Sequence, residues 1–233
     1  LLDREPVSLS VIGVSKTKSI GCYTTAGQGL SQLQCEQRPA SASLAPDRVR
    51  VAVHAVSLNY RDLLVASGEY GGVQSPPIIA ASDMSGIVLE VGSDVQSVTV
   101  GEHVINAPVP DWLDGRLQRS WSRSFVGGQG IDGVLAEEVI YPASGLVSAP
   151  RNTSHEQAAT LVVAGLTAWA ALVTHGAAKP GQWALIHGTG GVAIFAAQLV
   201  ALLGVRVIQT TSSPQKAARL KEKFGVSETL DYR

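Results

Sequence analysis

The chain has 233 residues, 45% hydrophobic and 16% charged, with 18 Lys and Arg against 19 Asp and Glu. That length suits two domains, or one and part of another, around a sizeable core. A net charge of −1 gives no electrostatic case for a nucleic acid or an anionic membrane as partner, and no apolar run approaches the length of a membrane helix.

Residues 1–17 read as an N-terminal extension without a strong period and without a signal-peptide core. Cys22 and Cys35 form no CxxC pair and cannot supply a four-ligand metal site. They read as free thiols of a reducing compartment, so a cytoplasmic location is expected. From residue 18 to about 150 the chain carries short alternating runs with turn residues between them. Arg48 to Ser57 alternates as a half-buried strand does; Ile87 to Val91, Val98 to Ile105 with a turn at Gly101-Glu102, Val134 to Tyr141 and Leu146 to Ser148 follow. The whole reads as an irregular β-barrel. Ala107 to Gly133 is a long loop with Trp112, Trp121 and Phe125, equally readable as functional or as a disordered insertion.

Near Pro150 the pattern turns helical. Thr153-Ser154-His155-Glu156 reads as a capping box, with Thr153 and Glu156 as the reciprocal partners. Asn152-Thr153-Ser154, a formal glycosylation acceptor, reads as no more than this helix start. The run AATLVVAGLTAWAALVTHG then predicts a largely apolar, hence buried, helix, which Gly176 and Lys179-Pro180-Gly181 terminate.

The stretch from Ala184 to Lys216 carries the most chemistry. An apolar strand, Trp183 to Ile186, runs into Gly188, Gly190, Gly191 and Ala193, the G-x-G-x-x-G/A spacing of a dinucleotide-binding turn. Glycine there permits a tight turn and lets backbone N–H groups approach a pyrophosphate. A helix from Val192 to Leu203 and a second strand from Val205 to Thr211 complete a βαβ unit. A purely structural βαβ turn is the alternative. Where an NAD site places Asp or Glu, this chain has Gln209, Thr210, Thr211, Ser212 and Ser213, and no acidic residue occurs between Gly188 and Lys221. Hydroxyls followed by Lys216 and Arg219 suit a 2′-phosphate, so NADP(H) is the expected cofactor. Ser212 and Ser213 as plain helix caps, with a solvated Lys216, is the bland alternative.

The order of these parts resembles the medium-chain dehydrogenase/reductase superfamily, in particular its quinone oxidoreductase-like and zinc-type alcohol dehydrogenase-like members. The resemblance rests on Ser57-Leu58-Asn59-Tyr60-Arg61-Asp62-Leu63-Leu64, Ser82-Asp83-Met84-Ser85-Gly86, Val100-Gly101-Glu102-His103-Val104, Gly165-Leu166-Thr167-Ala168 and the glycine turn. It implies an α/β plus β fold: a GroES-like irregular β-barrel over 18–150, then an incomplete Rossmann domain, a doubly wound parallel sheet, over 151–233. It implies Asn59 and Tyr70 at the reacting centre, and Thr167, Gly188, Thr189, Gly190, Gly191, Val192, Ser212, Lys216 and Tyr232 around NADP(H). Zinc-dependent relatives carry cysteine where this chain has Asn59, and His-Glu where it has Ser82-Asp83; no metal is expected. Leu64 stands where some quinone reductases have a second tyrosine. Asn59 and Asp62 each have a local reading as well, in the start of a helix.

These features imply an NADPH-dependent oxidoreductase that delivers hydride to an activated double bond, quinone or carbonyl of a small molecule. A nucleotide-binding but catalytically silent protein is the alternative. No tyrosine precedes a lysine by four positions, which disfavours a short-chain dehydrogenase. The five histidines, His54, His103, His155, His175 and His187, show no mutual spacing for a metal and read as structural. Both ends look cut, with Glu228 to Tyr232 opening a third strand. The reading is therefore a C-terminally truncated chain, poorly active alone, whose full-length form is a homodimer.

Overall fold

A computed structural model describes residues 19–116, 118, 121 and 124–233; the extension over 1–17 lies outside them. Three strands, β1 (Ser19–Thr25), β2 (Gln34–Pro39) and β4 (Ile78–Ile79), form a small antiparallel sheet in the order β2-β1-β4. A five-stranded antiparallel sheet runs β7-β3-β5-β6-β8, from β3 (Arg48–Ser57), β5 (Asp83–Val91), β6 (His103–Asn106), β7 (Glu138–Pro142) and β8 (Leu146–Ser148). The alternation read in Arg48 to Ser57 is the strand β3, with Val49 and Val51 turned into the core. They pack with Met84, Val88, Val104, Val134 and Leu146. The turn read at Gly101-Glu102 is present, with a strand only after it, and the strand expected over Val134 to Tyr141 is shorter. Residues 98–102 form turns held by Glu102, whose carboxylate accepts from Thr99 N at 2.9 Å. Val134 to Glu137 pairs only through an isolated bridge from Ala136 to Cys22. The described part of the 107–133 loop is packed rather than loose, because Val109 and Val126 are buried and Val126 N donates to Pro108 O.

Helix α1 (Tyr60–Ala66) follows β3 directly. The second half begins at α2, one helix spanning His155–His175. Its capping box is one residue later than the sequence suggested. Ser154 Oγ accepts from Gln157 N at 3.3 Å, and Gln157 Oε1 accepts from Ser154 N at 3.1 Å. The Thr153 hydroxyl instead donates to Pro150 O, in the turn that precedes the helix. Two further expectations fail on this helix. It is 21 residues long with a mean hydropathy of 1.6, so one apolar run does reach membrane-spanning length. It is also not largely buried: Ala158, Ala159, Val162, Ala164 and Ala168 face the protein, while Leu166 and Trp169 are exposed. A run apolar all round hides which stripe packs. Within α2, residues 161–165 and 170–175 widen into π-helical turns. The first releases Val163 N–H to donate to the buried Asp83 Oδ2 at 3.0 Å.

Strands β9 (Trp183–Ile186), β10 (Arg206–Thr210) and β11 (Glu228–Leu230) form a parallel sheet in the order β11-β10-β9. Helices α3 (Gly191–Leu202) and α4 (Pro214–Phe224) are the crossovers, with Ala193, Ala196, Ala197, Val200 and Leu220 in their shared core. This is the strand–helix alternation of a Rossmann sheet. Trp183 and Leu185 on β9 are 49% and 57% exposed, and β9 pairs with no described strand on its outer side.

Candidate active site

A cleft of about 990 Å³ opens where the end of β3, helix α2 and the β9–α3 turn meet. Leu58, Asn59 and Tyr60 line one side; Thr160, Leu161 and Ala164 come from α2; His187, Thr189, Gly190, Gly191 and Val192 come from the turn. Its size is that of a cofactor site, about 300–1,000 Å³. Gly188 lies just behind this wall in the left-handed region, at φ 74°. Its N–H donates to Thr210 Oγ1 at 3.0 Å and its carbonyl accepts from Gln209 Nε2 at 2.9 Å. Gly190 is different. It is the N-cap of α3 with φ −77° and ψ 179°, a conformation open to any residue, and no atom stands within 4 Å of where its Cβ would be. Nothing in the protein therefore demands glycine there, and the free space lies against the N–H groups that open α3. Gly191 is closer-packed, since its Cβ would meet Ala164 Cβ at 3.4 Å.

The end of β10 sorts the polar residues that the sequence left together. Gln209 and Thr210 turn inward onto Gly188, and Thr211 Oγ1 accepts from Ser213 N at 3.3 Å. Ser213 caps α4 by accepting from Lys216 N at 3.3 Å. Ser212 keeps its hydroxyl on the surface, 3.0 Å from the Tyr232 hydroxyl. Lys216 is exposed on the first turn of α4. Sequence reasoning missed Arg233, whose guanidinium donates to Ser212 O at 2.6 Å and pairs with Asp231 at 3.1 Å. Its neighbour Tyr232 was the available signal.

Asn59 sits at the N-cap of α1, on the cleft wall. Its N–H donates to Asp62 Oδ2 at 2.7 Å, so Asp62 serves the cap. The Asn59 side-chain nitrogen is buried and faces Asp83, near enough to lower that carboxyl's pKa but without hydrogen-bond geometry. Burial raises the pKa of both Asp62 and Asp83 above the ordinary carboxylate range, against a hydrogen bond from Asn59 N to the first and, for the second, hydrogen bonds from Ser82 Oγ and Val163 N and the nearby Asn59 amide.

A family of known proteins, the alcohol dehydrogenase GroES-like domain, matches residues 45–151. The chain is 37% identical over 207 residues to a zinc-type alcohol dehydrogenase-like protein of Schizosaccharomyces pombe, covering 88% of this chain and 59% of that protein. It is 35% identical over 192 residues to a quinone oxidoreductase of Pseudomonas aeruginosa, covering 82% and 52%. The crystal structure of a putative alcohol dehydrogenase from Sinorhizobium meliloti superposes with a TM-score of 0.84 at 36% identity, covering 94% of this chain and 63% of that one. The chain belongs to the medium-chain dehydrogenase/reductase superfamily, as a quinone oxidoreductase-like member. It spans between half and two thirds of the length of each of these relatives.

Tyr70 and Thr167, picked by likeness to the superfamily, do not line the cleft, and Ser212, Lys216 and Tyr232 lie outside its lining as well. Tyr70 is partly exposed and stacks on Arg61, with the guanidinium carbon 5.0 Å from its ring centre. Thr167 is exposed on α2, one turn beyond Ala164. Arg61 itself also stacks on Phe125 at 3.9 Å and donates to Val126 O at 3.0 Å, tying the 107–133 loop to α1. Among the described residues, no three His, Cys, Asp or Glu side chains stand where they could share a metal ion.

The histidines are less scattered than their spacing suggested. His155 stacks on His54 at 4.4 Å between ring centres and tilts against His103 at 4.1 Å. Ser85 Oγ lies 2.6 Å from His103 Nε2 and 3.0 Å from His155 Nδ1. One hydroxyl proton cannot serve both rings, so at least one imidazole donates to Ser85 Oγ. The cluster joins β3, β5 and β6 to the start of α2.

Proposed function

We propose that this protein is an NADPH-dependent oxidoreductase that delivers hydride to an activated double bond, quinone or carbonyl of a small molecule without zinc. Residues 18–150 form the GroES-like substrate side and 151–233 the nucleotide side. The observation that carries the reading is Gly190. A residue with unrestricted dihedrals and no neighbour at its missing Cβ needs no glycine for packing, yet glycine keeps the mouth of α3 open. A pyrophosphate fits that space, held by backbone N–H groups of Thr189 to Val192 and the positive end of the helix.

The bound nicotinamide supplies the hydride. The chain's own residues bind and orient. Ser212, Lys216 and Tyr232, joined by Arg233, offer hydroxyls and cations for a 2′-phosphate. Asp231 is already paired with Arg233 and opposes that phosphate less than a free carboxylate would. Asn59, fixed by its N–H bond to Asp62, stands at the cleft wall with its amide nitrogen turned to Asp83, and a role toward substrate rests on likeness to the superfamily. Tyr70 as proton donor and Thr167 beside the nicotinamide rest on likeness to the superfamily. Their position outside the cleft lining favours a second reading, a nucleotide-binding chain without turnover. Homodimerisation of the complete enzyme is proposed on the same likeness.

The test is a panel of enones, quinones and aldehydes followed at the NADPH absorbance band. Consumption of NADPH with at least one class, and much slower consumption of NADH, supports the reading. Equal efficiency with NADH contradicts the NADP(H) assignment, stoichiometric zinc in the purified protein contradicts the metal-free mechanism, and nucleotide binding without turnover selects the second reading.

A further inference from the structure

Gln209 is fully buried at the end of β10, and half of its amide is idle. Its Nε2 donates to Gly188 O, while its Oε1 is buried with no partner. An apolar side chain of the same length would avoid that unsatisfied acceptor, so packing alone gives no reason for glutamine here. The next residue, Thr210, is also buried and accepts the N–H of the same glycine. Two adjacent strand residues thus grip both backbone polar groups of one turn residue. Gly188 needs such a grip: it sits in the left-handed region, and no atom lies within 4 Å of the position a Cβ would occupy. Without these two bonds the turn would have no side-chain support on this side.

We infer that Gln209 and Thr210 are positioning residues that set the conformation of the nucleotide-binding turn from behind. They touch no ligand themselves. They hold Gly188, and through it the N–H groups of Thr189 to Val192, in the arrangement a diphosphate needs before it arrives. The inference rests on the proposal that this turn binds a dinucleotide.

The test measures stability and affinity on the same variants. Gln209→Met removes the bond to Gly188 and the idle acceptor together. If Gln209 positions the turn, the melting temperature stays level or rises while the dissociation constant for NADPH increases about 3- to 10-fold. Thr210→Val should weaken NADPH by a similar factor and speed hydrogen exchange at the Gly188 amide, and Thr210→Ser should restore both. Unchanged NADPH affinity in Gln209→Met and Thr210→Val, with NADPH bound by the wild type, overturns this inference and leaves the proposed function standing. Failure of the wild type to bind any dinucleotide overturns both. If Gln209→Met does not fold, the exchange rate at Gly188 in the two Thr210 variants decides the matter.

Discussion

A methyl group on Gly190 would enter space that no protein atom uses, so Gly190→Ala should shift the melting temperature by only about 2–3 °C. The same methyl group would stand where the proposed diphosphate would lie, and NADPH affinity should then fall about tenfold or more. Equilibrium titration beside a thermal melt checks both halves; loss of stability with intact affinity would make Gly190 a packing residue. In the proposed site, Lys216 is the residue that would separate the two cofactors. It is exposed and donates only its backbone N–H to the Ser213 cap. Lys216→Ala should therefore weaken NADPH about tenfold and leave NADH unchanged. The glycines and Lys216 could be picked out from sequence because turn and cap chemistry is local. Arg233 was missed, with only its neighbour Tyr232 as a hint, because its bond to Ser212 O exists only once β11 has returned beside β10.

At the scale of elements, the join between the barrel and α2 depends on protonation. Burial first, and neighbouring imidazoles second, lower the pKa of His155 and His103 below the ordinary value. His54 faces them from β3, and Glu156, beside His155 on α2, pulls weakly the other way. The folded state then binds fewer protons than the unfolded one just below about pH 6.5. The stability from these histidines is full above that pH and is lost as pH falls through their lowered folded values. Asp62 and Asp83 act oppositely: their raised pKa values favour the folded state in mild acid and lose that advantage as pH rises through them. Comparing variants isolates the histidine part. Between pH 7.5 and 5.5, His155→Gln should lose a few degrees less in melting temperature than the wild type. Equal losses would show that the cluster does not couple to folding. The sequence offered no sign of this cluster, since β3, β6 and α2 bring its members together only in three dimensions. The strand β3, by contrast, was readable from the alternation of Val49, Val51 and Val53 with polar or small neighbours. The apolar run of α2 was readable as a helix, but its stripe of buried alanines was not, because the run is apolar on every side.

At the scale of the molecule, α2 is the piece that makes one cleft out of two sheets. Its first turn packs on β3 and β5, Val163 N–H reaches Asp83, and Ala164 meets the glycine turn. Groups from the antiparallel and the parallel sheet halves therefore share a wall, the arrangement the proposed hydride transfer requires. A ligand bound across that wall should stabilise both sheets together. Saturating NADPH should raise the melting temperature in a single transition, whereas two transitions with only one shifted would show that the halves act separately. The central claim is that this cleft binds a dinucleotide and recognises its 2′-phosphate. Calorimetric titration of the purified chain with NADPH and with NADH, at one fixed low salt concentration, tests it most directly. The prediction is one site per chain with NADPH at least about tenfold tighter than NADH. Equal affinity for the two, or no heat with either, would contradict it.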